Sequence, residues 1–406
     1  MNIKSLFSIT NHGVFRIINI FGIKLKINCV KIKAEDLHKI PLQNNKIVFC
    51  NMLGGGYGCN PKYIAEEILK RHLAYDLVWL TNDVKQPFPP QIRAVKYNSK
   101  QAMQELASAK IWVDNNRKIA FLHSGLFKRD KQFYIQTWHG SLGIKKIDAD
   151  IVSTDAKWAF WKKWAKIDSD CTDYLLVNSE FEHQVLVPAY LFDNEIKTYG
   201  HPRNDVFFYD NCELIAKVKK AYNIDVSAKI CLYAPSFRDN RRTDGYNIDY
   251  DTLKRALEQK FGGNWVIITR LHPIMNEHQD IIPQQDYIIN ATNYPDIQEL
   301  LVASDVVVTD YSSCVFDFML SRKPAFIFAT DIKEYDTERG LYYPLTATPF
   351  PVAENNAQLM KNIIDFDDAK YQNAVERFLT EKGCMEDGHA AGRVVDLIEN
   401  IMKGSK

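Results

Sequence analysis

One stretch constrains this chain more than any other: Val306-Val-Val-Thr309-Asp-Tyr-Ser312-Ser313-Cys-Val315-Phe-Asp317-Phe-Met-Leu320. Three consecutive valines between Asp305 and Asp310 read as a buried parallel strand. Thr309–Ser313 forms a short polar turn, and the apolar run Val315–Leu320 reads as a helix. Ser312 and Ser313 fall at that helix's N-cap, where free backbone N–H groups and the positive dipole end favour an anion. Asp317 lies four residues after Ser313 and returns to the same face. The unit is either a phosphate site with a carboxylate one turn on, or an ordinary capped helix of an α/β domain.

The same strand-turn-helix grammar runs through most of the chain. Lys46–Cys50 reads as a strand, Leu53-Gly-Gly-Gly-Tyr-Gly58 as a tight turn or an acceptor loop, and Lys62–His72 as a helix capped by Asn60 with Pro61 at its first position. The glycine turn lacks the full dinucleotide fingerprint and its acidic partner, so no nicotinamide site is read there. Further strands are expected at Asp76–Leu80, Ile92–Val95, Ile111–Val113, Phe133–Gln136 and Asp173–Asn178, with a helix at Lys100–Ala109. A second α/β run starts at Ile230 and includes the strands Trp265–Pro273 and Lys323–Ala329, a helix near Asp296–Ala303, a loop Asp331–Leu341 and an amphipathic helix Arg393–Met402. At 406 residues the chain suits two domains. The expected division is an extension at 1–40, doubly wound domains at 41–210 and 211–385, and a final helix at 386–406.

Several side chains cluster at expected strand ends. His139, in Gln136-Thr-Trp138-His139-Gly140-Ser141, follows a strand, where an imidazole serves as a general base or simply bonds to backbone. Arg270 and His272 end another strand, and arginine there suits phosphate recognition through its planar fork. Arg203 sits in a rigid turn, Gly200–Asp205, presented beside a carboxylate.

Net charge is +1, which gives no global polyanion signal and argues against nucleic acid as a partner. The N-terminus differs: Lys4, Arg16, Lys24, Lys26, Lys31 and Lys33 precede Glu35 with no acidic residue among them. Residues 14–27 alternate about Phe21-Gly22 as a β-hairpin with a basic face, either a contact to an anionic membrane or polymer or a solvated edge. The helix around Trp158, Phe160, Trp161 and Trp164 sets aromatics opposite Lys162, Lys163 and Lys166, as an interfacial anchor does, or packs those rings on the N-terminal domain. Eight scattered cysteines without a C-x-x-C pair suit reduced thiols and no zinc site. With no 20-residue apolar run and no signal peptide, the expected setting is cytoplasmic, soluble or peripheral at the inner face of a bacterial cytoplasmic membrane.

Taken in order, Asn60-Pro-Lys-Tyr, Gln136-Thr-Trp-His-Gly140, Pro202-Arg-Asn-Asp205, Ala234-Pro-Ser236-Phe237-Arg238, Arg270-Leu271-His272-Pro273, Thr309–Ser313 with Asp317, and Tyr335–Gly340 resemble the CDP-glycerol glycerophosphotransferase family. The family's usual Thr-Pro after His-Gly is Ser141-Leu142 here, its Pro-Thr-Trp-Arg is Pro235-Ser-Phe-Arg238, and its Gly-Tyr-Pro is Gly200-His-Pro202. The resemblance implies a GT-B fold, two Rossmann-like domains facing a cleft. It implies an acceptor hydroxyl attacking the β-phosphate of CDP-glycerol with release of CMP, His139 and His272 catalytic. Trp138, Gly140, Ser141, Arg203, Ser236, Phe237, Arg238, Arg270, Leu271, Ser312, Ser313 and Asp317 would hold the donor, Asp317 through a hydroxyl of its ribose or glycerol. No tightly bound cofactor or metal is implied, and Mg2+ is compatible without being required. The acceptor would be a lipid-linked or polysaccharide chain. CDP-ribitol as donor, a nucleotide-sugar glycosyltransferase and a sugar-nucleotide epimerase are the competing readings.

Overall fold

A computed structural model describes residues 7–12, 14–21, 23–151, 156–238, 243 and 245–404. The chain opens with an antiparallel meander, β1 (Phe7–His12), β2 (Phe15–Ile20) and β3 (Ile23–Asn28). The expected hairpin is therefore three-stranded, and its Gly22 lies outside the described residues. Directly paired residues share a face. Arg16 pairs with Ile27, while Lys24 and Lys26 pair with Asn19 and Ile17 on the opposite face. The basic residues are thus divided between two faces, not gathered on one.

The first α/β domain carries β4 (Gln43–Cys50), β5 (Asp76–Thr81), β6 (Ile92–Lys96), β7 (Ala109–Asp114), β8 (Phe133–Gln136), β9 (Tyr174–Val177) and β10 (Glu195–Thr198), in the order β10-β9-β8-β7-β4-β5-β6. The second carries β11 (Lys229–Tyr233), β12 (Trp265–Thr269), β13 (Ile288–Asn290), β14 (Val306–Thr309), β15 (Ala325–Phe328) and β16 (Val352–Ala353), in the order β13-β12-β11-β14-β15-β16. Every pairing in both sheets is parallel. Val306, Val307 and Val308 are buried on both faces, each contributing about 1.5–3 kcal/mol of hydrophobic stabilisation. Strand order reverses between β4 and β7 in one sheet and between β11 and β14 in the other. Ligands bind at such switch points, beyond the strands' C-terminal ends. The loops that emerge there are Asn51–Gly58 and Asn115–Arg117, and Ala234–Arg238 and Asp310–Ser313.

The second domain does not end the chain. Met385 N–H donates to the Asn178 carbonyl, and helix Ala390–Lys403 sets Val394, Val395 and Ile398 into the first domain's core. A buried ion cluster also joins the domains: Lys62 Nζ reaches Asp296 at 2.8 Å and Glu299 at 2.7 Å.

Local expectations shift in four places. Helix Cys59–Lys70 starts after Gly58, so Asn60 lies within its first turn and does not cap it. The expected loop Asp331–Leu341 contains a helix, Ile332–Arg339. Asp205, expected beside Arg203, instead accepts the Ala390 and Ala391 N–H groups and so caps the last helix. The helix after Ser313 spans only Cys314–Phe318 before a 3-10 turn, leaving little aligned dipole to draw an anion. Among the described residues no helix is long and apolar enough to cross a membrane.

Candidate active site

The two switch points face each other across a cleft of about 920 Å³. From the first domain come Trp138, His139, Gly140, Ser141 and Arg203; from the second come Ser236, Phe237, Arg270, Leu271, His272, Ser312, Ser313 and Asp317. Of the residues expected to hold donor, only Arg238 does not line it. Arg238 is 2% exposed, with Nη1 2.9 Å from Asp310 and Nε 2.6 Å from Asp331. Those ion pairs tie the loops after β11, β14 and β15 together, so its contribution is to their shape.

His139 is held by the chain around it. Trp138 adopts φ +56°, which turns the chain sharply after β8 and stacks the indole 4.3 Å from the His139 ring. Asn60, freed from capping, donates to the Thr137 and Trp138 carbonyls at 2.9 and 3.0 Å and accepts from Arg203 N–H. His139 Nδ1 lies 2.6 Å from the Asn115 carbonyl. A carbonyl only accepts, so Nδ1 carries the proton and Nε2 keeps its lone pair. Burial first, then the positive charges of Arg203 and Lys145, brings the His139 pKa down to about 4. The ring is therefore neutral near pH 7. The backbone-bonded reading of His139 holds, and that bond leaves Nε2 able to accept a proton.

Facing it is a set of polar groups of two kinds. Arg203 is already neutralised: Asp317 Oδ2 and Oδ1 accept from its Nε and Nη2 at 2.9 and 3.1 Å. That corrects the expectation for Asp317, both of whose oxygens are committed to Arg203 and not presented to a donor hydroxyl. Arg270 is different. Its Nη2 donates to the Tyr294 carbonyl, its Nε is buried without a protein partner, and no carboxylate pairs with it among the described residues. Ser236 Oγ is likewise buried and unpartnered. His272 sits 4.6 Å from the Phe237 ring, and burial followed by the charges of Lys145 and Arg270 lowers its pKa to about 4.

Sequence reasoning passed over Lys145. It lies on the loop after His139, bridged to Leu341 of the second domain, and among the described residues no carboxylate pairs with it. Burial and then Arg339 bring its pKa down to about 8. The loop from Gly140 to Lys145 passes close to the second domain: a Cβ on Gly143 would stand 3.4 Å from Ser313 Cβ. Beneath this loop, Asn178 donates to Ser141 Oγ and to Glu386, a buried carboxyl that burial raises to about 7. The cleft continues past His139 to an apolar end formed by Val14, Phe15, Ile119, Ala120 and Trp161. Trp158 and Trp161 stack at 4.5 Å and Trp164 packs on His123, all half-buried, while Phe160 remains exposed.

Two facing doubly wound domains with a cation-lined cleft between their switch points make this a GT-B protein. The chain belongs to the CDP-Glycerol:Poly(glycerophosphate) glycerophosphotransferase family, which it matches over residues 34–400. It is 30% identical over 377 residues to a teichoic acid poly(glycerol phosphate) polymerase of Staphylococcus epidermidis, a match covering 88% of this chain and 51% of that protein. The chain thus spans about half the length of that relative. It is 30% identical over 379 residues to the teichoic acid glycerol-phosphate transferase of Staphylococcus aureus, covering 89% of this chain and 94% of the relative. The solved wall teichoic acid polymerase TagF superposes with a TM-score of 0.79 at 29% identity, over 91% of each chain.

Proposed function

We propose that this protein transfers glycerol phosphate from CDP-glycerol to a hydroxyl of a surface-polysaccharide acceptor and releases CMP. One observation carries the reading: a neutral imidazole with its Nε2 lone pair kept available shares a cleft with two cations, Arg270 and Lys145, that have no carboxylate partner among the described residues. The family supplies the donor's chemistry, and TagF has been solved after soaking with CDPG.

In this reaction the acceptor oxygen attacks the β-phosphorus and forms a new P–O bond. The bond from that phosphorus to the bridging oxygen breaks, and CMP leaves with the electron pair. His139 Nε2 takes the acceptor's proton. Arg270 and Lys145 balance charge on the phosphate oxygens, and Ser236, Ser312 and Ser313 hydroxyls donate to them. His272 is neutral and acts as a hydrogen-bond donor, not a charge. Arg203, locked by Asp317 and bonded to the Gly140 carbonyl, fixes the His139 loop against the second domain. The reading assigns no residue to a resident metal; Mg2+ is compatible as a companion of the diphosphate.

The apolar end of the cleft supports an acceptor with a lipid anchor and a peripheral location at the inner face of a bacterial cytoplasmic membrane. The test is a panel of CDP-glycerol, CDP-ribitol and nucleotide sugars, read for which nucleotide is released and whether release needs acceptor. Acceptor-dependent CMP from CDP-glycerol supports the proposal. A nucleoside diphosphate product points to glycosyl transfer, turnover without acceptor to epimerisation, and preference for CDP-ribitol to the other polyol. Near wild-type CMP release by both His139→Ala and His272→Ala would overturn the catalytic assignment.

A further inference from the structure

The meander β1–β3 precedes the family match, which begins at residue 34. Its strand register puts Ile9, Ile18, Ile20, Ile23, Leu25 and Ile27 on one face. The other face is turned inward: Phe15 packs into the first domain's core and Asn28 Nδ2 donates to Ser124 Oγ at 2.8 Å. The aliphatic face therefore points to solvent. Ile23, Leu25 and Ile27 are 68%, 50% and 47% exposed, and Phe21, in the turn between β2 and β3, is 76% exposed. A contiguous exposed aliphatic face of this kind marks an interaction surface.

We infer that this outer face of β1–β3 docks on an anionic phospholipid bilayer. Charge selects that occupant. Arg16 lies among the aliphatic residues, Lys24 and Lys26 project from the opposite face of the edge strand, Lys31 and Lys33 follow it, and no acidic residue occurs before Glu35. A second copy would bring two equally basic extensions together, and lysines on an edge strand disfavour strand-to-strand pairing. Bilayer docking instead places aliphatic side chains at the acyl boundary and the basic groups at headgroup level. The meander also borders the cleft, because Val14, before β2, and Phe15, on the inward face of β2, line its apolar end. Docking would open that end toward the bilayer, where a lipid-anchored acceptor resides. The inference rests on the peripheral location proposed above and names the surface responsible for it.

The test is flotation of the full chain with phosphatidylcholine vesicles, with and without phosphatidylglycerol, in the absence of donor. Wild type is expected to float with the anionic vesicles. Arg16→Gln removes the charge set among the aliphatic side chains, so binding weakens about fivefold. Phe21→Ser with Leu25→Ser abolishes flotation on both compositions, while the melting temperature and CMP release with a water-soluble acceptor stay at wild-type values. Failure of wild type to float overturns both the surface and the peripheral location. Flotation by wild type and both variants alike overturns the surface alone. A solution dimer that Phe21→Ser with Leu25→Ser dissociates assigns the face to a second copy and overturns the inference.

Discussion

Asp317→Ala distinguishes a carboxylate that holds Arg203 from one that waits for a donor hydroxyl. The two side chains are 5% and 2% exposed, and both carboxylate oxygens accept from the guanidinium. Removing Asp317 leaves a buried cation without its counter-ion, a loss of about 3–5 kcal/mol. Unfolding entropy of about 2.1 cal/mol/K per residue over 406 residues is about 0.85 kcal/mol/K. If the chain melts as one unit, the midpoint therefore falls by about 4–6 °C. Saturating CDP-glycerol should recover part of that loss, because its phosphates give Arg203 a new partner. Calorimetry with and without donor, beside steady-state kinetics, measures both quantities. An unchanged midpoint with KM for CDP-glycerol raised about tenfold would refute the reasoning and return Asp317 to the donor.

The acid–base groups set a pH profile. Activity should rise through about pH 4 as His139 and His272 lose their protons, and fall through about pH 8 as Lys145 loses its own. In Lys145→Arg the alkaline limb should move beyond the range of the assay; a kcat/KM profile that keeps it assigns the limb elsewhere. Burial pushes Glu299 up, but Lys62 and the hydrogen bonds from Lys217, Lys62 and Tyr294 outweigh it and hold the pKa at about 2. Its folded pKa is depressed, so its stabilisation is present above the usual glutamate range and lost as pH falls toward 2. Glu299→Gln should therefore flatten the acid side of a stability-versus-pH curve measured by denaturant titration, and an unchanged acid side would count against the interdomain ion cluster. Asn60→Ala leaves the Thr137 and Trp138 carbonyls without its amide, at about 1–3 kcal/mol each, and loosens the turn that aims His139. Its kcat should drop on the order of 10–100-fold with KM for donor little changed, as misplacement of a catalytic group requires.

What was legible in the sequence follows from how each feature is encoded. Buried parallel strands such as Val306–Val308 and Phe133–Gln136 declare themselves through apolar runs, and the polar turns after them mark where ligands bind. His139, Arg270, His272, Ser312 and Ser313 were therefore singled out from local pattern and order, and all five line the cleft. Partnerships across the cleft are not local. Nothing near Arg203 shows that Asp317 neutralises it, and nothing near Arg238 shows that Asp310 and Asp331 enclose it. Lys145 reads as half of an ordinary Lys-Lys pair until the second domain closes over it. Asn60 carries a strong capping signal, but Gly58 starts the helix earlier and frees its amide for the Thr137 and Trp138 carbonyls. In the N-terminal meander, alternation revealed the hairpin, whereas the solvent-facing side depended on Asn28 and Phe15 meeting the first domain.

The central claim is a neutral His139 that takes a proton while CMP leaves a cation-lined cleft. The most direct measurement is nucleotide release from CDP-glycerol with acceptor present, comparing wild type with His139→Ala. The account predicts CMP in step with glycerol phosphate transferred, and a loss on the order of 10²–10⁴-fold when the base is removed. Release of CDP in place of CMP, or His139→Ala turning over at the wild-type rate, would contradict it.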